Sequence, residues 1–175
     1  MVREQKTTGS ATTGRSEVDK QHLEPLNSRA VFLLSQVGHQ IAVSFAERLE
    51  PLKVQPRHFA VMNGLATLGG STQQHLADIL GIHRNVMVGL VDDLERLGYA
   101  KREPHPGDRR AHAVRLTTDG RRVLTSAHQT AATLESDVTK FLPAPERAKF
   151  IDQLQNLAAG LGLEAGAHPS LREMR

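Results

Sequence analysis

The span from Ser71 to Thr117 constrains this chain most, because two short helical patterns give way there to an alternating one. Ser71-Thr72-Gln73-Gln74 fits a capping box, with Ser71 as the cap and a glutamine three residues on, so a helix is predicted to begin there. It is short: Leu76, Ile79 and Leu80 fall on one face and Gly81 closes it. The next helix runs roughly from His83 to Leu97. Met87, Leu90, Val91, Leu94 and Leu97 make its apolar face, and Gly98 stands where a left-handed residue suits a helix end. Two such helices joined by a tight turn containing glycine form a helix-turn-helix pattern.

The next residues add a second element. Tyr99 to Glu103 lacks a helical period and reads as a strand, and Pro104-His105-Pro106-Gly107-Asp108 is a turn cluster with Arg109-Arg110 at its edge. From Ala111 to Leu116 the residues alternate, Val114 and Leu116 on one face and Ala113 and Arg115 on the other. A hairpin with a basic tip beside a docking helix is a winged-helix arrangement.

Longer helices flank this unit. Leu26, Ala30, Leu33, Val37, Ile41, Phe45 and Leu49 recur at steps of four and three, an amphipathic stripe that Pro51 stops. Another helix starts at Pro56, carries Phe59, Met62, Leu65 and Ala66 inward, and ends at Gly69-Gly70. After Thr117, read as an N-cap, Leu124, Ala127, Ala131, Leu134, Val138 and Phe141 repeat with a period near 3.5, a seam that expects a partner helix. Pro143 and Pro145 break it, and a last helix carries Phe150, Leu154, Leu157 and Leu161 before Gly160 and Gly162 unravel it. The predicted fold is mainly α with a small β-hairpin wing, a winged helix-turn-helix flanked by long dimerisation helices. Its expected parts are a disordered tail over 1–24, a dimerisation helix over 25–50, the DNA-binding unit over 51–118, dimerisation helices over 119–162 and a flexible tail over 163–175.

Composition removes several function classes. With no cysteine, the chain has no disulfide, thiolate metal site or cysteine nucleophile, and the nine histidines show no paired ligand spacing. No metal or cofactor is predicted. Aromatics are only 3 %, which argues against stacked aromatic platforms for single strands or RNA. There is no G-x-S-x-G elbow, P-loop or G-x-G-x-x-G fingerprint, so no enzyme is expected. No apolar run approaches the length of a membrane span, and the first 25 residues lack a secretory apolar stretch, so a soluble cytoplasmic protein is expected. Residues 81–122 hold nine basic and six acidic side chains, whereas both ends balance. A localised basic middle suits a polyanion.

The segments HLADILGI, LVDDLERLGY and GDRRAHAVRLTTDG resemble the winged helix of MarR-family transcriptional regulators, and a long helix before and two after extend the resemblance over roughly residues 26–161. The resemblance implies a homodimeric, ligand-responsive repressor, less often an activator, that binds a palindromic operator in duplex DNA. A small aromatic acid or phenolic would bind between the dimerisation helices and the winged helix and release the DNA.

Residue roles follow. Arg84 and Asn85 open the helix expected in the major groove, where arginine offers a fork to guanine and asparagine to adenine. His83 and Val88 are on the same face. Thr72 and Gln73 open the preceding helix and suit phosphates, while Ser71 suits capping. By resemblance Arg110 is the minor-groove arginine, with Asp108 bracing its guanidinium and Arg109 beside it. Lys101, Arg102 and Arg115 are expected at phosphates. For the effector, the polar groups on apolar helices are Arg29, His39, His58 and His128, with Met62 as lining. The alternative reading is an architectural or protein-interaction winged helix with no effector.

Overall fold

The computed structural model describes residues 24–105 and 108–163, and the side chains of 26–104 and 112–163. The chain divides into two compact units, residues 1–42 and 43–175. In the first, a single helical turn (Glu24–Asn27) precedes the start of helix α1 (Ala30–Leu49). The predicted stripe is therefore interrupted at Ser28-Arg29, where Arg29 N–H bonds back to Leu26 O at 2.9 Å, a three-residue closure that ends the turn. Val31, Leu33, Leu34 and Val37 lie exposed along α1.

The second unit holds the core. Leu49 is fully buried at the end of α1, and a 3₁₀ turn (Glu50–Leu52) with Pro51 in its first turn leads to α2 (Pro56–Leu68). Gly69 caps α2 at φ 65°, a conformation in which a Cβ would be strained. Then come α3 (Gln73–Leu80) and α4 (Arg84–Arg96), joined through Gly81 at φ 63°. The hairpin follows as β1 (Ala100–His105) and β2 (Asp108–Leu116), and α5 (Thr118–Thr139) and α6 (Ala144–Gly160) end the described chain. Val61, Met62, Leu65, Leu76, Met87, Val91, Leu94 and Val114 form the centre where α2, α3, α4 and β2 meet.

The hairpin register pairs Ala100 with Leu116, Lys101 with Arg115, Arg102 with Val114, Glu103 with Ala113 and Pro104 with His112, with an irregularity before His105–Asp108. On its other side, Val114 exchanges two backbone hydrogen bonds with Ser71, at 2.8 and 3.1 Å. β1 is thus an outer strand, where a proline such as Pro104 removes no needed donor. The turn cluster predicted from Pro104 to Asp108 is accordingly narrower: Pro104, His105 and Asp108 belong to the strands.

Three further expectations are corrected. Thr72, not Ser71, caps α3, its hydroxyl accepting from His75 N–H at 3.2 Å, because Ser71's backbone is already paired with Val114. Ile79 is 47 % exposed, and Ala77 takes the inward position beside Leu76. Ala113, on the face of Arg115 opposite Val114 and Leu116, is buried as they are. Phe141 lies past the end of α5 and is exposed. Thr117 caps α5 as predicted, accepting from Gly120 N–H at 3.0 Å.

Candidate nucleic-acid interface

Helix α4 presents one continuous exposed face: Arg84, Asn85, Val88, Gly89, Asp92 and Arg96. The opposite face anchors it through Met87, Leu90, Val91 and Leu94, all buried. Its first turn is set by His83, whose Nδ1 accepts from Asn85 N–H at 3.3 Å. His83 is therefore a helix cap as well as an exposed residue beside the first turn. The side chains of Arg84 and Asn85 engage no partner among the described residues. A helix start with free amides, an arginine and an asparagine can meet base edges and phosphates together.

At the start of α3, Thr72 spends its hydroxyl on the cap. Gln73 is half-buried and its Nε2 has no partner among the described residues, as is true of buried Ser71 Oγ. A shielded amide of this kind is costly to leave unmatched.

The wing root carries a charge cluster. Lys101 and Arg115 sit directly opposite each other, a like-charge pair that would be unfavourable alone. Glu103, two residues along the same face, binds Lys101 and lies 3.5 Å from Arg115. The Lys101 hydrogen bond is the main reason its carboxyl is held below the usual range. Arg115 also donates to Gly69 O and lies over Gly70, where a Cβ would come within 2.8 Å of its side chain. Arg121 donates to Leu116 O at 2.8 Å. Between these groups and the end of α2 lies an open concavity of about 280 Å³, floored by Leu65 and Ala66. Arg102 stands apart, bonded to Asp92 and Glu95 of α4. Of the expected wing-tip residues, Asp108, Arg109 and Arg110 have their backbone in β2, and their side chains lie outside the described residues.

The five residues expected at an effector fall in both units. Arg29 and His39 belong to the first unit and are exposed. Met62 is fully buried in the core. His58 is buried, its Nδ1 accepting from Gln55 N–H at 3.1 Å and its Nε2 standing 3.6 Å from Asp93, beyond hydrogen-bonding reach. Burial lowers its pKa from the ordinary value; Asp93 opposes that shift and Arg96 adds to it. Asp93 is itself held low, chiefly by its hydrogen bond from Arg96. His128 is exposed and meets Phe59 edge-on, 5.0 Å between ring centres, in a row with Phe45. None of the five lines the concavity. Sequence reasoning missed Glu103, Glu95 and Asp92 as the partners of the wing cations. The i, i+2 spacing of Lys101 and Glu103 on one strand would have revealed the first. The described residues hold no group of three or more histidine, aspartate or glutamate side chains fit for a metal ion.

The fold has known relatives. The sequence profile of the MarR family matches residues 52–111. Multiple antibiotic resistance protein MarR of Escherichia coli K12 is 30 % identical over 103 residues, which cover 58 % of this chain and 72 % of that protein. The chain belongs to the MarR family. It is a transcriptional regulator and not an enzyme. The Salmonella typhimurium MarR is 27 % identical over 121 residues, covering 69 % of this chain and 82 % of that one. Among solved MarR-family structures, the transcriptional repressor CouR bound to a 23-mer DNA duplex superposes with a TM-score of 0.67 at 29 % identity, over 78 % of this chain and 96 % of that one. CouR from Rhodococcus jostii RHA1 bound to p-coumaroyl-CoA gives 0.62 at 28 % identity, over 76 % and 94 %. A mutant E. coli MarR complexed with operator DNA gives 0.62 at 26 % identity, over 78 % and 96 %. Among the described residues, no helix is long and apolar enough to cross a membrane.

Proposed function

We propose that this MarR-family regulator is a cytoplasmic homodimeric repressor that reads a palindromic operator and releases it when a small acidic ligand binds. The observation that carries the DNA reading is the outward face of α4, where Arg84 and Asn85 have no partner among the described residues, on a first turn capped by His83. Arg84, Asn85 and Val88 enter the major groove. Thr72 and Gln73 at the start of α3, with Lys101 and Arg115 at the wing root, hold phosphates, and Asp108, Arg109 and Arg110 take the wing tip to the minor groove. Duplex-bound CouR and MarR relatives support this reading.

Uncovered apolar faces support the dimer. Val31, Leu34 and Val37 of α1, Ile151, Leu154 and Leu157 of α6, and Leu161 at its C-terminal cap are all at least 37 % exposed. So many aliphatic side chains at helical spacing call for a partner surface, and a twofold pair matches an operator of two half-sites. For the effector, the concavity is a better seat than the vicinity of His58 and Met62, whose groups are committed within the fold. Lys101, Arg115 and Arg121 surround it with one carboxylate, which suits an acid with a small apolar body, and the p-coumaroyl-CoA complex of CouR is in keeping with an anionic ligand.

The test is selection of duplexes from a randomised pool, with sedimentation to give the oligomeric state. The expected winner is a palindrome with half-sites about one helical turn apart, preferred about 10³-fold or more over random duplex. Equal affinity for every duplex would replace the repressor reading with an architectural one. Arg110→Ala should weaken operator binding without changing the melting temperature, and deletion of residues 143–175 should leave a monomer.

A further inference from the structure

Strand alternation separates two neighbouring cations of the wing. Lys101 pairs with Arg115 and shares a face with Glu103, whereas Arg102 pairs with Val114 on the other face. That second face meets α4. There the Arg102 guanidinium lies 2.6 Å from Asp92 and also binds Glu95, while the Arg102 backbone N–H donates to Glu95 Oε1 at 2.7 Å. One residue of β1 is thus tied to two carboxylates a helical turn apart, by main chain and side chain at once.

The tie is more sheltered than its neighbours. The Arg102 side chain is 26 % exposed against 55 % for Lys101, so salt screens it less and a phosphate reaches it less readily. Partial burial opposes the charge, but the two carboxylates outweigh it and hold the guanidinium more firmly protonated than usual. A planar fork spanning two carboxylates also fixes direction, which a lysine ammonium cannot do. To contact DNA, Arg102 would have to abandon Asp92 and Glu95 on the helix facing that same DNA.

We infer that Arg102 is a positioning residue that sets the angle between the recognition helix and the wing, and with it operator discrimination, instead of binding phosphate. The inference rests on the operator-binding reading above. Bases and minor groove are read by two elements of one rigid unit, so a change of angle spoils the match to the operator. Binding to arbitrary duplex, which needs only charge, is spared.

The test measures binding of the selected operator and of a scrambled duplex by fluorescence anisotropy across a salt series. It compares the full-length protein with Arg102→Gln, Arg102→Lys and the triple variant Arg102→Gln/Asp92→Asn/Glu95→Gln. A brace predicts that both single variants lose about tenfold or more on the operator and less than about threefold on the scrambled duplex. The slope of log affinity against log salt should stay unchanged, and the triple variant should not recover. A phosphate contact predicts instead equal losses on both duplexes for Arg102→Gln, a slope shallower by about 0.9 per protomer, and near-normal binding by Arg102→Lys. Recovery in the triple variant would mean that Arg102 merely cancels the charge of α4. Either result, or an unchanged operator affinity, overturns the inference. If the wild type prefers no duplex, the operator reading falls separately, and amide exchange over residues 92–102 still decides the brace. Exchange should quicken in Arg102→Lys, and unchanged exchange would refute it.

Discussion

Gly120 is the position where ordinary helix rules and this fold disagree in sign. It lies in the first turn of α5, buried, and a Cβ built there would fall 1.9 Å from Tyr99 O and 2.8 Å from Tyr99 C. Real Cβ contacts are essentially never shorter than 3.0 Å, so Gly120→Ala must drive α5 more than 1 Å from the root of the wing. The obstacle is main chain and has no rotamer to adopt. Tyr99 O also accepts Thr117 N–H at 3.0 Å, and Thr117 Oγ1 caps Gly120 N–H, so the displacement strains the cap as well. Overpacking costs about 1–3 kcal/mol and a lost cap about 1 kcal/mol, so a loss of about 3 kcal/mol is expected. For a domain of this size that lowers the melting temperature by about 6–12 °C. Gly89 is the control: it lies in α4 with nothing within 4 Å of a built Cβ. There alanine should raise stability by about 0.5–1 kcal/mol, the usual gain in a helix interior. Thermal and urea unfolding followed by circular dichroism, at one protein concentration, measures both. A Gly120→Ala protein as stable as the wild type would refute the packing argument.

Other expectations follow from single contacts. Thr117→Ala removes the Gly120 cap and a 2.7 Å hydrogen bond to Gly98 O, and should cost about 1–2 kcal/mol in urea unfolding. Arg84→Ala and Asn85→Ala should each lose about 1–3 kcal/mol of discrimination between the operator and a single-base variant, with melting unchanged, since both side chains are exposed. His58 titrates below its ordinary 6.5 in the fold, so the unfolded chain takes up its proton first. Its contribution is whole above pH 6.5 and is lost as pH falls through the folded value. His58→Asn should flatten the stability–pH curve below pH 6.5, and an unaltered curve would assign that slope to other groups. Asp93 and Glu103, both lowered, act in the same direction but at more acid pH.

How much of this was legible in the sequence depended on how local each cause was. Helix ends at Gly69, Gly81 and Gly98 read correctly because the left-handed φ is a property of the residue itself. The cap at Thr72 was misplaced by one residue because the partner that claims Ser71 is Val114, far along the chain. Ala77 was overlooked as a core residue and Ile79 overvalued, since size predicts hydrophobicity but not which side of a short helix meets α2 and α4. Lys101, Arg102 and Arg115 looked alike as basic residues of a wing. The alternation that puts Arg102 on the opposite face was present in the sequence, but its destination at Asp92 and Glu95 required the folded geometry.

That destination explains why a helix proposed to face DNA carries three carboxylates. Asp92, Asp93 and Glu95 all fall in the last two turns of α4, and each has a cation: Arg102 for Asp92 and Glu95, Arg96 for Asp93, which also faces His58. The first turn carries Arg84 and Asn85 and no acid. Charge is therefore divided along the helix, with the N-terminal half left free for a polyanion and the C-terminal half fastened to β1. Removing the three carboxylates would raise attraction to any duplex, because an acid near phosphate repels it, but it would also release the fastening to β1. A variant with Asp92→Asn, Asp93→Asn and Glu95→Gln should accordingly bind random duplex more tightly and the operator less selectively, narrowing the ratio between them. If the ratio instead held while both affinities rose together, the carboxylates would be acting through charge alone.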